Sequence, residues 1–176
     1  MWNPYTSKWK AAIEKGLKII PKENDNILYL GASSGTTVNE ISKFVKKGII
    51  FAVENSPKMA ISLIQLSEMR ENIAPIFCDA RDIESIKKSL FEKKISILFQ
   101  DIPALDQVEI LINASKFIDK DCKIFFTLKT QSISQKNPEE TLKQAKEKLS
   151  KNFEIIDFIN LEPYHKKHYF FILRKL

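Results

Sequence analysis

No stretch of this sequence is apolar for more than about five residues, far short of the ~18 that a membrane-spanning helix needs. No secretory leader precedes the first structured segment, so the expected compartment is the cytoplasm. Cysteine is scarce as well. Cys78 and Cys122 fall in separate strand-like segments, neither has a second cysteine nearby, and both read as buried thiols of a reducing compartment. His165 and His168 are the only histidines, and a zinc pair built on them fails for want of further ligands, so no metal site is expected. Internal repeats, low-complexity tracts and linkers are missing, and so is the dinucleotide fingerprint G-x-G-x-x-G. Acidic residues are outnumbered, 22 against 28 Lys plus Arg, and the net charge of +6 favours a polyanion as partner. The 176 residues make one domain, able to bury roughly 70% of its unfolded surface.

What is present is organised around Asn26-Ile-Leu-Tyr-Leu-Gly-Ala-Ser-Ser-Gly-Thr-Thr37. Ile27 to Leu30 read as a buried strand that runs into Gly31, and Gly35 precedes a helical pattern opened by Thr36 and Thr37. Gly31 and Gly35 allow a tight turn and close approach of backbone to ligand, with free helix N–H groups facing it. Alone, G-x-x-x-G is equally a bare glycine turn. The rest of the pattern decides. About nineteen residues past Gly35 a second strand, residues 49–54, ends in Glu54, placed to accept hydrogen bonds from ribose hydroxyls. A third strand, 74–78, ends in Asp79, and a fourth, 95–99, is followed by Gln100 and Asp101. Ligands of such sheets bind at the carboxyl ends of the strands, so three acids would meet in one crevice. An adenosine ligand without a pyrophosphate fingerprint points to S-adenosyl-L-methionine (AdoMet).

Along the chain, Ser7 is a plausible N-cap for a helix that runs through Lys15 and is closed by Gly16, with Trp9, Ala12 and Ile13 inward and Lys8 on another face. Ser56-Pro57 opens a helix whose Met59, Leu63, Leu66 and Met69 recur at helical spacing and read as core. Helices near 83–91 and 106–117 follow, then a fifth strand over 122–129 ending in Lys129. Asn137-Pro138 starts a Lys-rich helix reaching about Ser150, whose lysines read as a solvated face, with RNA contact the alternative. Strands 153–161 and 169–175 with no helix between them imply a terminal antiparallel hairpin. The expected fold is α/β: a class I AdoMet-dependent methyltransferase (Rossmann-like), with a mostly parallel seven-stranded sheet, helices on both faces and that hairpin at the end.

The sequence resembles the fibrillarins, the 2′-O-methyltransferases of C/D box guide-RNA particles. Their GAASGTT loop is here GASSGTT, Gly31 to Thr37, and their A-V-E, D-A-R and D-Q elements appear as Ala52-Val53-Glu54, Asp79-Ala80-Arg81 and Asp106-Gln107. The opening W-N-P…S-K matches Trp2-Asn3-Pro4 and Ser7-Lys8, and the late L-E-P-Y…H matches Leu161 to Tyr164 and His168. The resemblance implies AdoMet contacts from Thr36, Thr37, Glu54, Asp79, Ala80 and Asp101. Gly31, Ala32, Gly35, Asn55 and Gln107, within or beside the same motifs, join them as candidates. It further implies a Lys-Asp-Lys-His set, falling on Lys8, Asp101, Lys129 and His168. A ribose 2′-hydroxyl is a poor nucleophile, so it must be oriented toward the methyl group and relieved of its proton. Lys129 would stabilise the developing alkoxide and, with a depressed pKa, accept the proton, Asp101 and Lys8 would orient that amine and set the local field, and His168 would complete the polar floor.

Each residue has a plainer reading. Taken alone, Lys129 is a surface lysine at a strand end, His168 a satisfied polar residue and His165 a loop histidine, while Lys166-Lys167 touch RNA phosphate or keep the loop soluble. Where fibrillarins have D-V-A-Q-P-D-Q this chain has Asp101 to Gln107 with Ala104 in place of the glutamine, which would loosen contacts near the methionine end of the cofactor. Archaeal fibrillarins carry a β-rich domain ahead of W-N-P and eukaryotic ones a Gly/Arg-rich tail. The expectation here is an archaeal-type protein, either trimmed or minimal in form, with one methyltransferase domain over residues 1–176 and a helical lead-in over 1–20. The implied partners are C/D box guide RNA, target RNA and the coiled-coil scaffold protein of the particle, with no membrane. Two alternatives stand beside the rRNA or tRNA methyltransferase: an inactive structural subunit that keeps the fold, and a small-molecule methyltransferase.

Overall fold

The computed structural model describes residues 2–134 and 137–176. Seven strands, β1 (Ile27–Leu30), β2 (Ile50–Glu54), β3 (Ile73–Phe77), β4 (Ile97–Gln100), β5 (Lys123–Lys129), β6 (Phe153–Asn160) and β7 (His168–Lys175), form one sheet in the order β3-β2-β1-β4-β5-β7-β6. The pairings among β1 to β5 are parallel, and β7 enters antiparallel between β5 and β6. The chain winds outward from β1 to β3, then returns to lay β4 on the other side of β1. That reversal leaves a crevice beyond the carboxyl ends of β1 and β4.

Period-2 side-chain alternation divides the core into two layers. Leu28, Leu30, Val53, Leu98, Ile124 and Phe126 face one side, whereas Ile27, Tyr29, Ala52, Ile97, Phe99 and Phe125 face the other. The first layer is covered by α4 (Ile83–Ser89), α5 (Gln107–Ser115) and α7 (Pro138–Leu149). The second is covered by α1 (Lys8–Glu14), α2 (Thr36–Ser42) and α3 (Pro57–Met69). With helices on both faces, β1 and β4 are buried at every position, which is why β1 reads as an unbroken apolar run and β4 as one up to Gln100. On the second face Phe99 stacks on Tyr29, with centroids 4.5 Å apart and planes at 10°, and meets Phe125 and Phe170 edge-on. The exposed edges are blunted: Pro75 removes a donor from β3, and β6 carries a bulge between Ile155 and Asp157. Among the described residues no helix is long and apolar enough to cross a membrane.

Several expectations need correction. Only the leucines of the Met/Leu stripe, with Ala60, are core. Met69 ends α3 with 73% of its surface exposed, because the helix there packs on the outermost strand of the sheet and runs past it. Met59, in the first turn, lines the crevice instead. Cys78 lies just beyond β3 and is only half-buried, while Cys122 precedes β5 and burial pushes its thiol up to about 12. A single helical turn, α6 (Thr130–Ile133), follows β5 without any signal in the periodicity. Strand ends shift by a residue or two, as β4 at Ile97–Gln100 illustrates.

Replacing Phe99 with Ala removes the ring at the centre of this aromatic layer. The expected loss is about 3–5 kcal/mol, read as a lower denaturant midpoint with an unchanged slope.

Candidate active site

The crevice over β1 and β4 has a volume of about 280 Å³, and the ends of four strands supply its walls. Gly31 makes it possible. Its φ of +83° suits a residue without Cβ, and a Cβ there would stand 2.5 Å from the carbonyl oxygen of Asp101. Gly35, at φ +86°, is similarly closed in, by Leu66.

Glu54, at the end of β2, is aimed by three backbone donors. The amides of Ser33, Asn55 and Ser56 reach its carboxylate at 2.7, 3.0 and 2.8 Å. Ser33 takes a left-handed φ of +52° to do so, which is local strain at the ligand loop. Asp79 accepts from the Arg81 amide at 2.8 Å, from the Arg81 guanidinium at 3.1 Å and from the Asn55 side chain at 3.4 Å. These bonds, the Arg81 amide foremost, hold its carboxyl below the usual carboxylate range. Arg81 also grips Asp106 with a fork of 2.8 and 2.6 Å, tying the loop after β3 to the one after β4. That contact keeps Asp106 low and Arg81 high. The partners are 42–49% exposed, so the clasp governs geometry more than stability.

Asp101 follows β4, and its amide reaches the Leu30 carbonyl at 3.0 Å. Its carboxylate pairs with the Lys8 ammonium at 2.9 Å, with the side chains 16% and 29% exposed. Lys8 is delivered by α1, whose N-cap Ser7 accepts from the Lys10 amide at 3.3 Å and from the Thr37 hydroxyl at 3.0 Å. The helix start and the glycine loop are thus fastened together.

Lys129 ends β5 directly across from His168, the first residue of β7. Its backbone is fixed by the buried Gln107, whose Oε1 accepts from the Lys129 amide at 2.9 Å and whose Nε2 donates to the Lys129 and Ala104 carbonyls at 3.1 and 2.8 Å. Among the described residues the Lys129 ammonium has no ion-pair partner. His168 Nδ1 donates to the Lys166 carbonyl at 2.8 Å, which leaves Nε2 with its lone pair. His165 Nε2 donates to the Pro4 carbonyl at 2.8 Å, and the two imidazoles lie 5.6 Å apart. Burial, helped by the Lys8 charge, lowers both below the ordinary histidine value.

Gly31, Glu54, Asn55, Asp79, Ala80 and Asp101 therefore line one crevice, with Lys8 paired at its edge. The Lys129–His168 pair shares that end of the sheet, and His168 feels the charges of both Lys8 and Asp101. Ala32 is buried beneath the loop, with its amide on the Val53 carbonyl at 2.9 Å. Gly35 and Thr36 face a neighbouring groove beside Trp2 and Asn3, Thr37 turns to Ser7, and Gln107 lies under the floor. Sequence reasoning missed the Arg81 clasp, the Met59 and Cys78 walls and the His165 latch. For Arg81 the only available signal was its place in the D-A-R element.

Residues 1–175 match the family Fibrillarin. The fibrillarin-like rRNA/tRNA 2′-O-methyltransferase of Pyrococcus abyssi is 38% identical over 179 residues, covering 99% of this chain and 78% of the relative. Fibrillarin of Aeropyrum pernix, solved with natively bound S-adenosyl-L-methionine, superposes with a TM-score of 0.87 at 33% identity, over 98% of this chain and 76% of that one. A fibrillarin/Nop5p complex superposes at 0.93 and 34%, over 99% of this chain and 84% of the matching one. Sheet order and superposition agree on the class I AdoMet-dependent methyltransferase fold.

Both histidines release their protons more readily folded than unfolded. The unfolded chain therefore binds more protons as the pH falls below about 6.5. Their stabilising contribution is full above that pH and is lost as the pH drops through the depressed folded values. The urea midpoint should fall between pH 7 and 5, before carboxylates titrate, and a His165→Gln/His168→Gln double variant should flatten that slope.

Proposed function

The chain belongs to the fibrillarin family, and from that premise we propose that it is a cytoplasmic, AdoMet-dependent RNA ribose 2′-O-methyltransferase, the catalytic subunit of a C/D box guide-RNA particle. We read residues 1–176 as its methyltransferase domain. The observation that carries the reading is the Lys8–Asp101 ion pair on the rim of the crevice lined by Glu54 and Asp79, with Lys129 and His168 paired on the adjoining strands.

The crevice fits the cofactor. Three backbone N–H groups orient the Glu54 carboxylate, and its remaining lone pairs suit two ribose hydroxyls. Val53, Met59, Cys78 and Ile102 supply apolar walls for a purine, and the Asp79 carboxylate suits an exocyclic amine. When bound, AdoMet supplies an electrophilic methyl group on a sulfonium.

The protein's own part is alignment and charge. Lys8 and Asp101 hold one another at the rim and give the reacting oxygen a fixed field to sit in. Lys129, held by Gln107 through its backbone, presents an ammonium to the oxygen as negative charge develops there. His168, neutral above its lowered value and with Nε2 bare, accepts the 2′-hydroxyl proton and passes it to solvent. Most of the rate comes from holding the acceptor in line rather than from basicity. Target RNA is chosen by the guide, and a scaffold related to the Nop5p of the solved complex docks the enzyme. Ala104 does not leave its loop unbraced, since Gln107 takes up the Ala104 carbonyl.

Methyl transfer in a particle reconstituted with guide RNA, target RNA and scaffold tests the reading. Lys129→Ala should lower kcat by about 10²–10⁴-fold while AdoMet binds within about twofold of the parent. If AdoMet binds and no methyl group reaches RNA, the chain is a structural subunit. Glu54→Gln removes a charged acceptor and should weaken AdoMet about 10- to 100-fold by calorimetry, corresponding to the loss of one charge-assisted hydrogen bond.

A further inference from the structure

The first residues of the chain and the loop between β6 and β7 meet beside Lys8 and His168. Asn3 folds the lead-in back on itself: its Oδ1 accepts from the Tyr5 amide at 2.9 Å and its carbonyl from the Thr6 amide at 3.1 Å. From the opposite side His165 holds the Pro4 carbonyl. The loop bearing His165 is itself closed by the Leu161 amide on the His168 carbonyl at 3.0 Å. The backbone on either side of Tyr5 is therefore pinned, while the side chain is 61% exposed. Its ring meets Tyr164 edge-to-face, with centroids 5.2 Å apart and planes at 77°. Tyr164 is half-buried and packs on the core below, so it props the outer ring. The same loop carries Lys166, exposed, and Lys167, and its one carboxylate, Glu162, accepts from the Lys167 amide at 3.1 Å.

We propose that Tyr5, propped on Tyr164, is a stacking shelf for an RNA base left unpaired outside the guide–target duplex, on the rim next to Lys8 and His168. The inference rests on the RNA-methylating reading and names how that site grips its strand. Single-stranded nucleic acid is bound by aromatic faces next to cations, and a pre-ordered ring loses little entropy when a base settles on it. The loop that carries Tyr164 holds two lysines, Lys166 and Lys167, against the single carboxylate of Glu162, so the surroundings suit a phosphate backbone better than an apolar protein surface. Stacking also tolerates any base, since every base has a π-face. That is the property required where base pairing with a guide, and not the protein, chooses the nucleotide.

A single-stranded RNA of about ten nucleotides carrying 2-aminopurine reads the contact directly at low salt, without methyl transfer. The parent protein should quench the probe. Tyr5→Ala should abolish the quench and weaken RNA about tenfold, equivalent to about 1.4 kcal/mol, while AdoMet affinity stays within about twofold. Tyr5→Phe keeps the face and should match the parent. The salt slope should be unchanged in Tyr5→Ala but about 0.7 shallower in Lys166→Ala, which loses a phosphate contact. The shelf is refuted if the parent does not quench, if Tyr5→Ala binds like the parent, or if Tyr5→Phe loses as much. It is equally refuted if Tyr5→Ala loosens the scaffold protein and leaves RNA binding intact. A particle that methylates RNA but ignores Tyr5→Ala sinks the shelf alone. A parent that quenches yet methylates nothing in the particle sinks the enzymatic reading and leaves the contact standing.

Discussion

Strands β1 and β4 lie side by side although the chain visits β2 and β3 between them, and they stay together to their last residues. Leu30 is paired with Gln100, the next amide along, Asp101, still reaches the Leu30 carbonyl, and Gly31 passes within contact of Asp101. A side chain at Gly31 would force the two loops apart. This closeness sets where the crevice opens and brings Asp101 into the same space as Glu54 and Asp79, which arrive from β2 and β3. Parallel pairing is what makes the carboxyl ends coincide, and the buried aliphatic run of each strand is what makes the pairing stable.

The charges at this end are not alike. The Arg81 clasp is half in water and works as a spacer between two loops. The Lys8–Asp101 pair is far less exposed, so its mutual attraction is screened less and breaking it would strand a partly desolvated charge. Lys8 also sits in the first turn of α1, where a cation opposes the helix dipole. Local preference is violated there, and the Asp101 carboxylate offsets it. A tertiary contact here overrides a local rule.

Beneath the rim lies a small polar interior. Gln100 and Gln107 are fully buried, and the Gln100 amide donates to the Gln107 carbonyl at 2.6 Å while the Gln107 side chain holds Lys129 at both its amide and its carbonyl. Gln107 uses both ends of its side chain, and those bonds lock the loop after β4 to the end of β5, whereas Gln100 bonds through its Nε2 and its buried Oε1 has no partner among the described residues. The insertion of β7 beside β5 then sets His168 opposite Lys129. Through His165 the same β6–β7 loop steadies the lead-in that carries Tyr5 and Lys8. One end of the sheet is thereby tied to the start of the chain and to its last hairpin.

Local pattern reported the strand–glycine–helix unit, the acids that close β2 and β4, the Ser7 cap and the terminal hairpin. Each is a matter of period, turn chemistry or the residue that stops a strand. Longer motifs, GASSGTT and L-E-P-Y…H among them, named the family. The Arg81–Asp106 fork, the His165–Pro4 bond and the Gln107 brace left no such trace, because their partners lie 25, 161 and 22 residues apart and meet only once the sheet order exists. Met69 shows the reverse case: its spacing marks an inward face, yet at the end of α3 its side chain is mostly exposed and borders the groove beside Trp2 and Asn3. By itself the sequence determined the strands and, α6 apart, the helices, together with the acids at the strand ends, since hydrogen-bonding period and burial are local demands. Which side chains share the crevice, and that Lys8 faces Asp101 within it, the tertiary structure alone decided, because only strand order in space brings the first helix to the end of the fourth strand.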